Sequence, residues 1–328
     1  MKRKTGRMPQ INDNLLRLLG IVFLVLVLGS VGRFIATRKS AHELRVKRMG
    51  SLKVWWTLTF LMSVAVLFGS YGTAVLLAIA STLGLKEFVG LVDVRRIGRP
   101  ALIAAFLMIP VQYTLIVKFQ INEAKYVLPV VCLALFAVAR LLSAGTEQYL
   151  RVTAGLFFAV ILLVYNLSHA VLLFTLPVTK EPTVGVAGWF LFLVILTEMD
   201  DIAQALIGRR IGRRKITPRI SPNKTWEGFL GGMFTSVVLA FLLAPWLTTF
   251  PTAASLDGGL ITTAAGLVIF LAAFFGDINM SAVKRDAGVK DGSNILPGMG
   301  GIIDRIDSLT FTAPAFYYFV LFVNSGAS

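Results

Sequence analysis

Long runs of apolar residues, separated by short polar and basic segments, recur along the whole chain. A helix that crosses a membrane needs about 20 predominantly apolar residues, within a range of roughly 17–25. By that measure the sequence predicts about ten transmembrane helices. They cover residues 14–36, 53–69, 71–86, 101–119, 126–143, 153–176, 184–203, 227–249, 258–277 and 306–324. The second and third runs are short and are separated by only a few residues around Gly69 and Gly72, which predicts a tight helical hairpin.

The composition supports a membrane location. Hydrophobic residues make up 56% of the 328 residues and charged residues 15%, whereas soluble domains average about 45–50% and about 25%. The predicted fold class is therefore an all-α, polytopic integral membrane protein. No separate soluble domain or linker is visible. We describe one membrane domain, with N-terminal transmembrane helices in residues 1–180 and a C-terminal catalytic region with polar loops in residues 181–328.

The formal net charge of +15 is concentrated in loops that all fall on one side of the predicted bundle. These loops follow the first, third, seventh and ninth apolar runs. Because cytoplasmic loops carry an excess of Lys and Arg, this side is predicted to face the cytoplasm, across the cell (inner) membrane. Loop bias accounts for most of the charge, and no basic soluble domain is present to hold DNA or RNA. We therefore expect no nucleic-acid partner.

The first apolar run departs from this scheme. Lys2, Arg3, Lys4 and Arg7 make the N-terminus basic, although a spanning first helix places it on the outer side. A signal peptide also begins with basic residues and an apolar run, but no small-x-small cleavage site follows this one. We keep residues 14–36 as a span, with an interfacial or re-entrant helix as the alternative.

Cysteine and histidine offer no metal site or disulfide framework. Cys132 is the single cysteine and stands in an apolar run, which is typical of a small buried side chain. His42 and His169 belong to no cluster with metal-ligand spacing, and both are expected to be structural.

The segment from Gly276 to Ser308 concentrates charge of both signs between two apolar runs. Ordinary cytoplasmic loops need no such number of carboxylates, and acidic and basic groups side by side suit a site for Mg²⁺ and phosphate. The charged residues are Asp277, Asp286, Asp291, Asp304 and Asp307 with Lys284, Arg285, Lys290 and Arg305.

Three of these carboxylates are placed to act together. Asp304 and Asp307 are three residues apart and share a helix face if the last span begins near them. Asp277 ends the preceding span. Ionisable residues at membrane depth usually have a partner or a function. Two helix ends can thus offer hard oxygen ligands to Mg²⁺, which takes one or two carboxylates and fills its shell with water and substrate phosphate.

A glycine-rich stretch lies within the same segment. Gly298, Gly300 and Gly301 follow Pro297 and let backbone N–H groups approach phosphate oxygens closely. A flexible loop with glycine turns is the plainer interpretation of such a stretch alone. The charged residues around it favour a phosphate site.

A second polar segment runs from Asp200 to Gly228. Residues Ser221 to Thr225 are predicted to open the next helix, where hydroxyl groups and Lys224 suit phosphate binding. Helix capping explains Ser221 and Thr225 equally well. The basic cluster from Arg209 to Lys215 is better explained by topology and attraction to lipid headgroups.

Together these motifs resemble those of the phosphatidate cytidylyltransferases, also called CDP-diacylglycerol synthases. The resemblance covers roughly the C-terminal 130 residues, while the first half matches only as a series of spans. The matching positions are Ile220 to Gly228, Ser281, Lys284, Arg285, Lys290, Asp291, Pro297, Gly298, Gly300, Gly301, Asp304, Arg305 and Asp307.

The resemblance implies a reaction of CTP with phosphatidate, dependent on Mg²⁺, that gives CDP-diacylglycerol and pyrophosphate. It implies catalytic roles for Asp277, Asp304, Asp307, Lys284 and Arg305, with Asp201 joining the three aspartates as a metal ligand. It implies substrate binding by Ser221, Lys224, Thr225, Ser281, Arg285, Lys290, Asp291, Gly298, Gly300 and Gly301. The expected partners are CTP, phosphatidate or a related phospholipid, and membrane lipids, and a homodimer is one option for the assembly.

One position departs from the family pattern. The family usually has His between the glycines, and this chain has Met299. A thioether cannot transfer a proton or donate a hydrogen bond as imidazole does. The surrounding charged residues are all present, which favours activity.

Three other functions are compatible with similar acidic and basic residues. A CTP-dependent lipid or polyprenol kinase releases CDP instead of pyrophosphate. A transporter also carries intramembrane carboxylates, but broken helices in paired halves are its expected signature, and the polar loops here lie at one face only. A non-catalytic homologue is the third alternative, with Met299 in its favour.

Overall fold

The computed structural model describes residues 12–37, 42–91, 97–119, 124–143, 148–176, 180–251, 255–289, 293 and 300–325. All statements on the structure below concern these residues. The side chains of residues 36–49, 119–127 and 143 are left out of the description as well.

Helices account for almost all of the described chain, as the apolar runs predict. In chain order they are α1 (Asp13–Thr37), α2 (His42–Leu67), α3 (Gly69–Leu91), α4 (Arg99–Thr114), α5 (Ala124–Ser143), α6 (Tyr149–Val160), α7 (Leu167–Leu172), α8 (Ala187–Ile211), α9 (Trp226–Leu247), α10 (Leu256–Asp286), α11 (Ile303–Ile306) and α12 (Leu309–Ser325). The π-helical turns Leu115–Phe119 and Ile161–Asn166 extend α4 and join α6 to α7, and the 3₁₀ turn Leu173–Thr175 follows α7.

Each of the ten predicted apolar runs overlaps a helix. Within the described residues, eight helical segments are long and apolar enough to cross a membrane. Helix α5 offers only the shorter apolar stretch Leu128–Leu142. Helix α8 is 25 residues long but carries Glu198, Asp200 and Asp201 near its middle. The chain is an all-α polytopic membrane protein.

The predicted hairpin of the second and third runs is confirmed, although both helices are longer than the runs. Only Phe68 separates α2 from α3, and Gly69 has φ of 63°, in the left-handed region that glycine adopts without strain. A Cβ added at Gly72 would overlap the Ala65 carbonyl, so the turn also requires a small residue there.

The buried centre of the bundle lies where α7 and α8 meet α12. Trp189, Phe192 and Phe316 are fully or almost fully buried, and the rings of Phe192 and Phe316 stack with centroids 5.5 Å apart. Cys132 is free and buried, as expected. The outer helices expose many large apolar side chains, which is the surface that lipid tails cover.

Glycines allow the helices that carry the polar segments to approach closely. A Cβ at Gly228 of α9 would stand 2.7 Å from the Gln204 carbonyl of α8, and one at Gly276 of α10 would stand 2.8 Å from the Asp307 carbonyl. Because lipid tails are as apolar as leucine, membrane helices associate through such close packing and not through a hydrophobic driving force. This packing places α9 directly against α8, and α10 directly against the turn that precedes α12.

A short hairpin interrupts the helical pattern and corrects one prediction. Strand β1 (Lys215–Thr217) pairs antiparallel with strand β2 (Ser221–Thr225). Residues 221–225 therefore do not open a helix, since α9 begins at Trp226. The hairpin is compatible with the exposed Pro222 in β2 because a two-stranded sheet consists only of edge strands, where proline is tolerated.

Candidate functional site

Four polar elements meet at one end of the bundle: the second half of α8, strand β2, the end of α10 and the segment from Gly300 to Ser308. They bring together side chains that are far apart in sequence. We call Asp201, Lys224, Asp277 and Asp307 the carboxylate–lysine cluster.

The ammonium group of Lys224 lies at the centre of this cluster. Its Nζ atom is 2.7 Å from Asp277 Oδ2 and 3.8 Å from Asp201 Oδ1. It also donates a hydrogen bond of 2.9 Å to Gln204 Oε1 and lies 5.6 Å from the centroid of the Phe274 ring. A cation on the short hairpin is thus held by carboxylates from two different helices.

The charge state of Lys224 follows from these contacts. Burial of the side chain by itself lowers the pKa of its ammonium group, but the carboxylates of Asp277 and Asp201 outweigh burial and raise that pKa above its ordinary value. An opposite charge at this distance favours the charged form of a group. Lys224 therefore stays protonated throughout the neutral range.

Hydroxyl groups orient the carboxylates around Lys224. Ser308 Oγ donates a hydrogen bond of 2.7 Å to Asp201 Oδ2, and Ser281 Oγ donates one of 3.3 Å to Asp277 Oδ1. Asp307 is within electrostatic reach of Asp277 and Asp201 and accepts a hydrogen bond of 2.8 Å from the Ser308 backbone N–H. Three carboxylates from three elements thus share one small polar region.

A second ion pair lies beside the cluster. Lys284, near the end of α10, forms a buried salt bridge with Asp304 of α11. The other oxygen of Asp304, Oδ2, accepts a hydrogen bond of 3.0 Å from the Gly301 backbone N–H. Lys284 is also an electrostatic neighbour of Asp307, so the ion pair and the cluster form one continuous site.

Asp304 and Asp307 do not share the face of a single long helix. Helix α11 has only four residues and ends at Ile306, and α12 begins at Leu309. Asp304 lies within α11, whereas Asp307 lies in the turn between the two helices. The predicted shared helix face is therefore interrupted by a turn at Asp307 within the helical segment Ile303–Ser325, and both side chains still reach the same site.

The hydroxyl groups of the second segment have different environments. Thr225 is buried and caps α9, since its side chain accepts a hydrogen bond of 3.1 Å from the Gly228 N–H. The capping interpretation therefore holds for Thr225. Ser221 lies at the other end of β2, where it pairs with Thr217. Among residues 221–225, Lys224 is the one with a recorded contact to the carboxylates.

The two predicted arginines take different positions. Arg285 is exposed and donates hydrogen bonds to the carbonyls of Ile220, at 3.3 Å, and Val289, at 3.1 Å, so it ties the hairpin to the end of α10. Arg305 is an electrostatic neighbour of Glu198 and Asp201, and it therefore adds positive charge beside the cluster.

Part of the predicted glycine-rich stretch is described. Gly300 has φ of 85°, in the left-handed region that glycine adopts readily, and Gly301 is buried. The predicted residues Lys290, Asp291 and Gly298, together with Met299, lie outside the described residues.

Sequence reasoning missed several residues that hold the site together. Gln204 bridges Lys224 and Asp200, since its Nε2 donates a hydrogen bond of 2.7 Å to Asp200 Oδ2. Ser308 orients Asp201, as described above. Glu87 of α3 is buried and contacts the segment that carries Asp304. The sequence offered little signal for it, because Glu87 directly follows the third predicted apolar run and stands next to Lys86.

The chemistry of the acidic residues fits a divalent cation. Carboxylate oxygens are the ligands that Mg²⁺ prefers, and Asp201 and Asp277 already converge on a cation, the ammonium group of Lys224. In the arrangement that the described part of the chain adopts, no three acidic, His or Cys side chains are grouped as a metal-ligand set.

Comparison with known proteins places these motifs in context. The model of the cytidylyltransferase family matches residues 50–323. The Escherichia coli (strain K12) protein named "Uncharacterized protein YnbB" is 36% identical over 307 residues, which are 92% of this chain and 97% of that protein.

Several similar bacterial proteins carry the name phosphatidate cytidylyltransferase, and two of them illustrate the match. The protein from Haemophilus influenzae is 41% identical over 134 residues, which are 40% of this chain and 46% of that protein. The protein from Bacillus subtilis (strain 168) is 42% identical over 139 residues, which are 42% of this chain and 48% of that protein. The match thus spans about half the length of these two relatives.

Proposed function

This chain belongs to the cytidylyltransferase family, and we propose that it transfers the cytidylyl group of CTP to phosphatidate. The products are CDP-diacylglycerol and pyrophosphate, and the role is in phospholipid biosynthesis. The observation that carries the proposal is the pairing of two lysines, Lys224 and Lys284, with carboxylates from separate helices. The names of the similar proteins from Haemophilus influenzae and Bacillus subtilis support the same substrate.

The reaction requires a cationic site because both substrates are anions. An oxygen of the phosphatidate phosphate attacks the α-phosphorus of CTP. The new P–O bond forms as the bond from the α-phosphorus to the bridging oxygen of the β-phosphate breaks, and pyrophosphate leaves with that electron pair. The attacking phosphate is already ionised at neutral pH, so the step needs no general base. The main barrier is electrostatic repulsion between the two anions.

Lys284, Arg305 and Lys224 are suited to lower that barrier. Fixed positive groups in a partly buried site stabilise developing charge more strongly than they do in water. Lys284 is almost completely buried, and its ion pair with Asp304 holds it at the end of α10. We assign Lys284 and Arg305 to the triphosphate and the leaving pyrophosphate, and Lys224 to the phosphate of the lipid.

We propose that Asp277, Asp304 and Asp307, together with Asp201, hold Mg²⁺ when substrate is present. Mg²⁺ usually binds one or two carboxylates and completes its shell with water and substrate phosphate. When bound, the ion supplies positive charge that neutralises phosphate oxygens. The oxygen donors come from the second half of α8, the C-terminal part of α10 and the segment around α11. Lys224 and Lys284 bring the substrate phosphates to the same region.

We place the site at the cytoplasmic face of the cell membrane. CTP is a cytoplasmic nucleotide, and the basic residues of the polar loops fall on this side under the positive-inside rule. The lipid substrate reaches the site from the surrounding bilayer, because its acyl chains remain in the membrane while its headgroup lies at the level of the helix ends.

The experiment uses the purified protein in detergent–lipid micelles with CTP, Mg²⁺ and phosphatidate. We expect pyrophosphate and lipid-linked CMP to appear in equal amounts. Asp304→Ala removes the partner of Lys284 and is expected to abolish both products while the protein stays folded. Glu181→Ala removes an exposed carboxylate and serves as the control with unchanged activity. Full activity of Asp304→Ala would contradict the assignment.

A further inference from the structure

Glu87 is an acidic residue of the N-terminal half that contacts the segment carrying Asp304, away in sequence from the residues of the carboxylate–lysine cluster. It lies in α3, which is apolar and long enough to span a membrane, and its side chain is only 6% exposed. A buried carboxylate is costly unless its oxygens find hydrogen-bond donors, so its presence needs an explanation. We propose that Glu87 is a positioning residue that holds the segment from Gly300 to Asp304 in place, an inference that rests on the proposed function.

The carboxylate of Glu87 binds the start of α11. The backbone N–H of Ile303 donates a hydrogen bond of 3.1 Å to Glu87 Oε2. Ile303 is the first residue of α11, and the first N–H groups of a helix have no partner within that helix. Glu87 thus supplies an acceptor that α11 lacks, across 216 residues of sequence.

Gly301 packs directly against the same carboxylate. A Cβ added at Gly301 would overlap both oxygens of Glu87, so the carboxylate fills the space that a side chain would take. Glu87 Oε1 is buried and has no hydrogen-bond partner among the described residues. This close approach explains why the position carries glycine, independently of any contact of its backbone with phosphate.

The segment is therefore held from two sides. Glu87 contacts Gly301 and the N–H of Ile303, while Asp304 accepts the N–H of Gly301 at 3.0 Å and pairs with Lys284. Loss of Glu87 removes one of the two attachments, and the segment is then free to shift relative to Lys284. A displacement of about 1 Å at a catalytic group costs on the order of 100-fold in rate. Glu87 therefore acts on the reaction through Asp304, without touching substrate.

The test is a double-mutant cycle between Glu87 and Gly301. Glu87→Ala is expected to lower kcat about 10- to 100-fold, the usual cost of losing a group that orients catalytic ligands. Glu87→Gln keeps a carbonyl acceptor for the Ile303 N–H and is expected to retain most of the activity. Gly301→Ala introduces the overlap and is expected to lower kcat strongly. In the double variant Glu87→Ala/Gly301→Ala the overlap is gone, so its kcat should exceed that of Gly301→Ala alone.

Gly90→Ala serves as the matched control, because Gly90 lies in the same helix as Glu87 and a Cβ there meets nothing within 4 Å. Its activity is expected to equal that of the wild type. The KM for CTP is expected to change less than kcat in the Glu87 variants, since Glu87 binds no nucleotide. A purely structural role would instead lower the melting temperature and the amount of active protein, with kcat per active molecule unchanged.

The same proteins are also compared by thermal unfolding, which does not depend on activity. If the wild type is active, and the two single substitutions combine multiplicatively in kcat and additively in melting temperature, the inference is overturned while the proposed function stays intact. A wild type that makes no lipid-linked CMP would overturn the proposed function and the positioning role together. In that case, non-additive melting temperatures in the cycle would still identify the contact between Glu87 and Gly301.

Discussion

Removing the ammonium group of Lys224 tests the electrostatic centre of the site. The substitution Lys224→Met keeps a long, flexible side chain of similar volume but removes the only positive charge within 4 Å of Asp201 and Asp277 among the described residues. These carboxylates then face one another and Asp307 with no cation between them. We expect the variant to lose both activity and stability.

The size of the stability loss follows from the burial of the three side chains. Removing one partner of a fully buried ion pair costs about 3–5 kcal/mol, because the remaining charge is left without compensation. Here the side chains of Lys224, Asp277 and Asp201 are 14%, 24% and 34% exposed, so water partly solvates the carboxylates. We therefore expect a loss of about 2–3 kcal/mol, below the range for complete burial.

Thermal unfolding of the purified protein in detergent measures this loss. At about 2 °C per kcal/mol for a chain of this size, the midpoint should fall by roughly 4–6 °C. Lys180→Met is the control, since Lys180 is exposed and its removal should leave the midpoint unchanged.

Mg²⁺ provides a second readout on the same variant. The carboxylates left by Lys224→Met should bind the divalent ion more tightly, and an ion at 100 times its Kd stabilises the folded state by about 2.7 kcal/mol. Millimolar Mg²⁺ should therefore restore more stability to Lys224→Met than to the wild type. A midpoint equal to that of the wild type, with or without Mg²⁺, would refute the reasoning.

Three further predictions concern the residues around Lys224. Asp304→Asn keeps the size of the side chain but removes the charge that pairs with Lys284, so turnover should fall at least about 100-fold, measured as lipid-linked CMP formed per minute. Gly276→Ala places a Cβ 2.8 Å from the backbone carbonyl of Asp307, in the turn before α12, and should lower the unfolding midpoint. Gly155→Ala is its control, because a Cβ at Gly155 meets nothing within 4 Å and should leave the midpoint unchanged. Met299→His should change turnover by less than the roughly 100-fold that a general acid or base contributes, because the attacking phosphate is already ionised. A larger gain would show that proton transfer limits the reaction of the natural chain.

Much of the fold could be predicted because membrane helices have a strong sequence signal. An apolar run long enough to cross the bilayer must form a helix, since lipid offers no partner for backbone N–H and C=O groups. Lengths were less predictable. Helix α10 continues through Asp277 to Asp286, because polar residues beyond the apolar run extend a helix at the membrane surface without a change in backbone conformation.

The acidic and basic residues of the site could be predicted from the sequence, but the contacts that join them to the rest of the fold could not. The concentration of charge in residues 276–308 indicated Asp277, Lys284 and Asp304, and the structure brings these residues to one end of the bundle. The hairpin that carries Lys224 has only eight strand residues in total, too few for a periodic pattern. The contact between Glu87 and Ile303 joins positions 216 residues apart, and a single sequence contains no record of such a pairing.

The fate of each phosphate of CTP tests the central claim most directly. The purified protein is incubated with phosphatidate, Mg²⁺ and CTP that is radiolabelled at the α-phosphate in one sample and at the γ-phosphate in another, and the lipid is extracted and counted. Transfer of a cytidylyl group predicts that the α-label appears in the lipid and the γ-label in pyrophosphate. A lipid that carries the γ-label instead, with CDP released, would contradict the account and identify a CTP-dependent kinase.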